Sequence, residues 1–247
     1  MRFRPFEMER WQSLWENRVR YNLSERGVSP FSLSELSELT GTDPAGTVLG
    51  YGHTEGSPLL RERIAALYPG ATPEEVLVTS GSAEANFVAC WSLIEAGDRV
   101  VIVTPTYGQT PGLAESLGAE VVELPLEEDR GWQPAPGAAA SAIGPGTRLV
   151  VITNPNNPTG AVLTPSSMAE IIEAAERAGA WILADEVYRG AELAGPETES
   201  LWDGARRTIV TASLSKAYGL PGLRIGWLVA DRGFRDEGWA RKDYTTI

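Results

Sequence analysis

The 247-residue chain predicts an α/β fold, a mostly parallel sheet sandwiched by helices and preceded by an N-terminal arm. Two observations carry that expectation. From residue 56 onward, short apolar runs rich in Val and Ile alternate with longer stretches of helical periodicity, the pattern of repeated αβ units. The residues with chemical potential fall just after those apolar runs, where an open parallel sheet gathers its ligands in loops and at helix N-termini.

The elements follow in order. Residues 5–19 place Phe6, Trp11, Leu14, Trp15 and Val19 at spacings that share one helical stripe, as expected of an arm lying on another surface. The stretch through Tyr21, Gly27, Pro30 and Gly41 to Gly50 is rich in turn formers and reads as loops around one short helix. Helix GSPLLRERIAALY then leads to strand EVLVT, helix SAEANFVACWSLIEA to strand DRVVIV, and helix QTPGLAESL to strand AEVVEL. The alternation continues with a short helix near residues 136–143, strand RLVVIT, helix PSSMAEIIEAAERAG, and strands AWILAD, RTIVTA and RIGWLVA. The Ala/Pro/Gly patch of residues 133–146 reads as a surface linker, and no repeat or heptad run is present.

Composition narrows the function. At 43% hydrophobic residues the chain can bury a sizeable core. A formal charge of -12 sets nucleic acid against net repulsion, while leaving room for a local phosphate pocket. Cys90 is the single cysteine, so neither an intramolecular disulfide nor a cysteine-based zinc cluster is expected, and a reducing cytoplasm is the simplest location. The N-terminus alternates charges with aromatics and lacks the apolar run of a signal peptide or membrane span. The sequon at Asn22, Leu23 and Ser24 reads as ordinary loop polarity. His53 is the only histidine, with no second ligand to make a metal site. The absence of a nucleophile elbow, a Walker A loop and a G-x-G-x-x-G fingerprint excludes serine-hydrolase, ATPase and Rossmann dehydrogenase readings.

Three motifs carry the chemistry. SLSKAYGLPGLRIGW, residues 213–227, frames Lys216 with hydroxyls and delivers Arg224 eight residues later, beside an apolar strand. NPNNPTG, residues 154–160, follows strand RLVVIT; taken alone, such a cluster is a turn. ADEVYRG ends an apolar strand on Asp185, with Tyr188 three residues on; alone, the aspartate could cap a helix. Together, and in this order, they resemble the cofactor-binding signature of the fold-type I, aspartate-aminotransferase-like class I/II aminotransferases, enzymes that use pyridoxal 5'-phosphate (PLP).

That resemblance implies a role for each matching position. Lys216 is the Schiff-base lysine, and Ser213, Ser215 and Arg224 surround the cofactor phosphate; a guanidinium fork suits phosphate oxygens. The amine must be unprotonated to react, so a desolvated lysine near other positive charge is expected. Asn157 and Tyr188 reach the pyridoxal 3'-oxygen, while Asp185 pairs with the pyridinium nitrogen and keeps it protonated. In TSGSAEAN, residues Gly81, Ser82 and Ala83 form a phosphate cup at a helix N-terminus, with a plain N-cap serine as the alternative. Tyr107 stacks on the ring, or is a core tyrosine. Tyr51 crosses a dimer interface to the neighbour's phosphate, which implies a homodimer. Gly27 lies beside the substrate carboxylate.

The resemblance further implies two parts: residues 1–50 as arm and small-domain segment, and residues 51–247 as a PLP-binding large domain that is incomplete at its C-terminus. Relatives of this kind continue into a small C-terminal domain holding the arginine for the substrate α-carboxylate, and no residue here takes that role. Part of the sheet is therefore expected to be uncovered. The implied activity is amino-group transfer between an amino acid and a 2-oxo acid. The alternatives are a β-eliminating lyase or amino-acid cyclase of the same fold, a branch that FRPFEMERWQSLWENRVRYNLSERGV resembles and that includes capreomycidine synthases, or a catalytically incompetent fragment serving only as a binding partner.

Overall fold

Strands buried on both faces need no polar alternation, and the apolar runs behave accordingly. The computed structural model describes residues 3–25, 27–202 and 207–247. In it Val76–Thr79 (β1), Arg99–Thr104 (β2), Glu120–Glu127 (β3), Gln133–Pro134 (β4), Thr147–Thr153 (β5), Trp181–Asp185 (β6), Thr208–Ser213 (β7) and Gly226–Val229 (β8) form one sheet, in the order β1-β8-β7-β6-β5-β2-β3-β4. The pairings β3·β2, β2·β5, β5·β6 and β6·β7 are parallel. Only β8, set between β1 and β7, and the short β4 run antiparallel to their neighbours. The expected mostly parallel sheet is therefore present.

The α-helices among the described residues are Glu7–Trp15 (α1), Leu33–Thr40 (α2), Pro58–Ala65 (α3), Ser82–Leu93 (α4), Gln109–Leu117 (α5), Ala138–Ala142 (α6), Pro165–Ala178 (α7) and Arg232–Lys242 (α8). The two-residue strand period sends Val101, Val103, Val150 and Ile152 to one face, where they meet Ile64 of α3, Ala139 of α6 and Ile171 of α7. Val100, Ile102, Leu149 and Val151 point the other way, onto Val88 of α4, Leu113 of α5 and Phe234 of α8. Both faces are thus covered, as the sandwich requires.

Three expectations change. The Ala/Pro/Gly patch is not a surface linker, because it supplies β4 and α6 and buries Ala139 and Ile143. Alanines mark a close helix approach here, and composition alone does not distinguish that from a loop. The sheet end at β1 and β8 is covered, with Leu77 and Leu228 fully buried, because α8 packs there. Helix α8 was illegible in the sequence since two of its buried residues are charged. Arg235 Nη2 meets Glu55 Oε2 at 2.7 Å, and Lys242 Nζ donates to the carbonyls of Thr54 and Thr246 at 2.8 and 2.9 Å. Finally, α1 forms but has no buried residue, leaving Trp11 and Trp15 exposed. It is tacked down next to Phe6, whose ring meets Tyr107 edge-on at 5.0 Å. No helix among the described residues is long and apolar enough to cross a membrane.

Candidate active site

A cavity of about 220 Å³ opens where β5, β6 and β7 end and α4 begins. It brings together Ser82, Ala83, Tyr107, Asn157 and Asp185 with Tyr188, Ser215, Lys216 and Arg224, nine of the positions singled out in the sequence. They arrive from six separate segments, each delivered by the end of a buried element. The remaining candidates, Gly81, Ser213, Gly27 and Tyr51, are not among its lining residues.

Asp185 closes β6 and is 7% exposed. Its Oδ2 accepts from Asn86 Nδ2 at 2.8 Å and its Oδ1 from the Val187 N–H at 3.1 Å. Burial raises its pKa, and those two hydrogen bonds oppose the rise by favouring the anion. No helix starts behind Asp185, so the helix-cap alternative falls. A buried carboxylate of this kind answers to a cation, or to an N–H that becomes one.

At the opposite end, the N-terminus of α4 presents the backbone N–H groups of its first turn. The N-cap is Gly81, with φ of 81°, and no side chain caps the helix, so Ser82 is the first helical residue rather than an N-cap serine. Two glycines make this approach possible. A Cβ on Gly81 would strike the Arg224 guanidinium, and one on Gly226 would strike the Gly81 carbonyl carbon and the Ser82 nitrogen. Arg224 itself sits in the left-handed region at φ of 52°, a conformation an L residue holds only when its surroundings impose it. Its Nη1 donates to the Pro221 carbonyl at 2.9 Å and lies 3.5 Å from Ser215 Oγ. Ser213 stands behind this wall at 1% exposure, accepting from the Ser215 N–H at 3.2 Å. The result is a cluster of N–H, guanidinium and hydroxyl donors suited to an anion.

Lys216 Nζ forms an ion pair with Glu25 Oε1 at 3.0 Å. The sequence led to an expectation of positive charge around this amine; the nearest partner is instead a carboxylate from the segment between α1 and α2. Gly27 belongs to the same segment: its N–H donates to Glu25 Oε1 at 3.0 Å, and a Cβ there would lie 3.3 Å from Lys216 Cδ. The arm supplies Glu9, Gln12 and Glu16 to the cavity rim, and Tyr107 Oη donates to Glu9 Oε1 at 2.6 Å. Tyr51 is 96% exposed and away from the cavity.

Sequence reasoning missed Asn86, Glu9 and Glu25. Asn86 was findable, because it follows Ser82 by four residues and so shares its helix face. Nothing in the local pattern distinguishes Glu9 or Glu25 from solvated surface charge.

Residues 22–241 match the family described as aminotransferase class I and II. The chain is 37% identical over 187 residues to valine–pyruvate aminotransferase of Mycobacterium tuberculosis, covering 73% of this chain and 48% of that protein. It is 32% identical over 248 residues to capreomycidine synthase of Streptomyces vinaceus, covering 97% of this chain and 63% of that one. Among solved structures, a PLP-dependent aminotransferase from Streptococcus suis superimposes with a TM-score of 0.91 at 39% identity, over 99% of this chain and 67% of that one. The chain thus spans from about half to just under two thirds of the length of the two curated relatives.

Proposed function

The chain belongs to the class I and II aminotransferase family, and from that premise we propose that it binds PLP in the cavity and transfers an amino group between an amino acid and a 2-oxo acid. What carries the proposal is one cavity that holds a lysine amine, a buried carboxylate and an anion-receiving helix end together. These residues fit the group: the α4 N-terminus with Gly81, Ser82, Ala83, Ser213, Ser215 and Arg224 for the phosphate, Asp185 for the ring nitrogen, Asn157 and Tyr188 for the 3'-oxygen, Tyr107 for the ring face. The close contacts at Gly81 and Gly226 support it further, since a phosphate needs direct access to backbone N–H groups.

PLP, when bound, supplies an electron sink for a bond broken at the substrate α-carbon. The chain's own residues do the rest. An amine attacks only when unprotonated, so Lys216 Nζ would have to give up a proton and its Glu25 contact in order to hold the cofactor. With its amine free, the same Nζ would be the base that takes the substrate α-proton and the acid that returns one. Asp185 would hold a proton at the ring nitrogen. Gly27 leaves room beside Lys216 for the substrate carboxylate. Residues 51–247 act as the cofactor-binding domain, with residues 1–50 as arm and small-domain segment. A second copy of the chain completes the site by lending the exposed Tyr51, and a reducing cytoplasm suits a chain whose one cysteine is buried.

A second reading is favoured by one observation: the similarity to capreomycidine synthase runs through the arm, over 97% of the chain. In it the same loss of the α-proton leads to expulsion of a β-substituent or to ring closure. Absorbance of the purified chain with PLP, before and after borohydride, followed by peptide mapping, tests the shared premise. The expected result is PLP fixed to Lys216; folded protein carrying no adduct, or one elsewhere, rejects both readings. Feeding amino acids with a 2-oxo acid separates the two, since only the first moves nitrogen onto the 2-oxo acid.

A further inference from the structure

We propose that Asn86, itself held by Thr211, is a positioning residue that fixes the Asp185 carboxylate to receive a cationic ring nitrogen, an inference that rests on the PLP reading above. Three side chains from three elements form a chain of hydrogen bonds that runs toward the carboxylate. Thr211 Oγ1 on β7 donates to Asn86 Oδ1 at 2.7 Å, and Asn86 Nδ2 on α4 donates to Asp185 Oδ2 at the end of β6 at 2.8 Å. The exposures are 0% for Thr211, 2% for Asn86 and 7% for Asp185.

Burial gives this arrangement its force. A flipped amide would turn Asn86 Oδ1 toward the carboxylate, acceptor against acceptor, in surroundings where water cannot intervene. Thr211, donating its one hydroxyl proton to Asn86 Oδ1, supports the orientation that the ionised carboxylate favours. The other Nδ2 proton is placed as well, with Gln109 Oε1 at 3.4 Å. Asn86 therefore serves the ionised form of Asp185, because an N–H donor has nothing to gain from a carboxyl that offers a proton back. With one donor from Asn86 and one from Val187, each carboxylate oxygen keeps lone-pair capacity for an N–H arriving from the cavity.

The placement of Asn86 adds a second consequence. It lies one turn, roughly 6 Å, along α4 from Ser82, so a single rigid helix carries both the N–H groups offered to the phosphate and the amide that sets the carboxylate. Thr211 stands two residues before Ser213 on β7, on the same strand face. Both ends of the cofactor site are thereby referenced to α4 and β7, and the separation between them is set by backbone rather than by loops.

The test compares the wild-type chain with Asn86→Leu, Thr211→Val and Thr211→Ser, loaded with PLP labelled with ¹⁵N in its ring. PLP affinity and the ¹⁵N shift are read, with circular dichroism to establish folding. In Asn86→Leu the affinity is expected to fall roughly ten- to hundredfold, the scale of a lost hydrogen bond to a charged group, and the ¹⁵N shift to move toward that of a neutral pyridine. Thr211→Val should move both in the same direction by less, and Thr211→Ser should restore them. A folded Asn86→Leu with affinity within about twofold of wild type and an unchanged ¹⁵N shift overturns the inference while leaving the cofactor reading intact. If Asn86→Leu does not fold, Thr211→Val indistinguishable from Thr211→Ser overturns it equally. A wild-type chain that takes up no PLP overturns the cofactor reading and this inference with it.

Discussion

The cavity has two walls built by opposite means. The sheet wall, where β6 and β7 end and α4 begins, positions Asp185, Asn86 and Thr211 through hydrogen bonds that water does not reach. The arm wall, from α1 and the segment after it, positions Glu9 and Glu25 through contacts at the surface, and α1 buries no residue at all. Buried polar contacts are costly to break because the group left behind stays desolvated, whereas exposed ion pairs are worth about 0–1 kcal/mol. The sheet wall is therefore preorganised for a permanent occupant, and the arm wall is free to rearrange around a transient one.

The sharpest way to break that contrast is Gly226→Ala. The new Cβ meets the Gly81 and Ser82 backbone, which cannot yield as a side chain does, so the start of α4 must shift. Thermal unfolding is expected to show a loss of about 1–3 kcal/mol, and PLP affinity should fall by more than about tenfold. Affinity unchanged in the folded variant would remove the phosphate cup from that place.

A smaller effect separates the walls by pH. Glu186, next to Asp185 and 2% exposed, has its pKa pushed up to about 7 by burial, against hydrogen bonds from the Leu201 N–H and Ser200 hydroxyl and the nearby Arg189. A carboxyl raised above its unfolded value of 4.5 contributes stability in full below that value and loses it as pH climbs through about 7. Melting temperature followed across this window should decline in the wild type and be flatter in Glu186→Gln. A parallel decline in both would assign the slope to other groups.

The arm wall should respond least. Glu25→Gln removes the ion pair to Lys216, whose partner carboxylate is half exposed, so stability should change by less than about 1 kcal/mol. The rate at which PLP becomes fixed to Lys216 should rise a few-fold, as the amine no longer has to leave a carboxylate; a slower reaction would mean that Glu25 assists proton removal instead. Tyr107→Phe deletes the hydroxyl that binds Glu9 and keeps the ring; urea unfolding should find a change within about 1 kcal/mol. A larger loss would show the arm to be firmly anchored after all.

The same division governs what could be read in advance. On the sheet wall, each candidate follows an apolar run, and burial of that run fixes where its end must lie; Asp185, Asn157 and Lys216 were accordingly legible, and the structure gathers them at one cavity. On the arm wall, the apolar stripe announced the helix but not which of its polar residues would face the cavity, and Glu9 and Glu25 look like any other surface acids. Helix α8 was lost for a related reason, since it buries Arg235 and Lys242 against partners distant in the chain.

By itself, then, the sequence determined the αβ alternation, the parallel core and the chemical types delivered to the carboxyl edge, because these follow from local periodicity and from which residues water excludes. The tertiary structure alone decided that Asn86 and Thr211 orient Asp185, that Gly226 makes room for the start of α4, and that Glu25 pairs with Lys216. Those are contacts between residues 99 to 191 positions apart in sequence, and no local pattern encodes a distance that only the packed sheet sets.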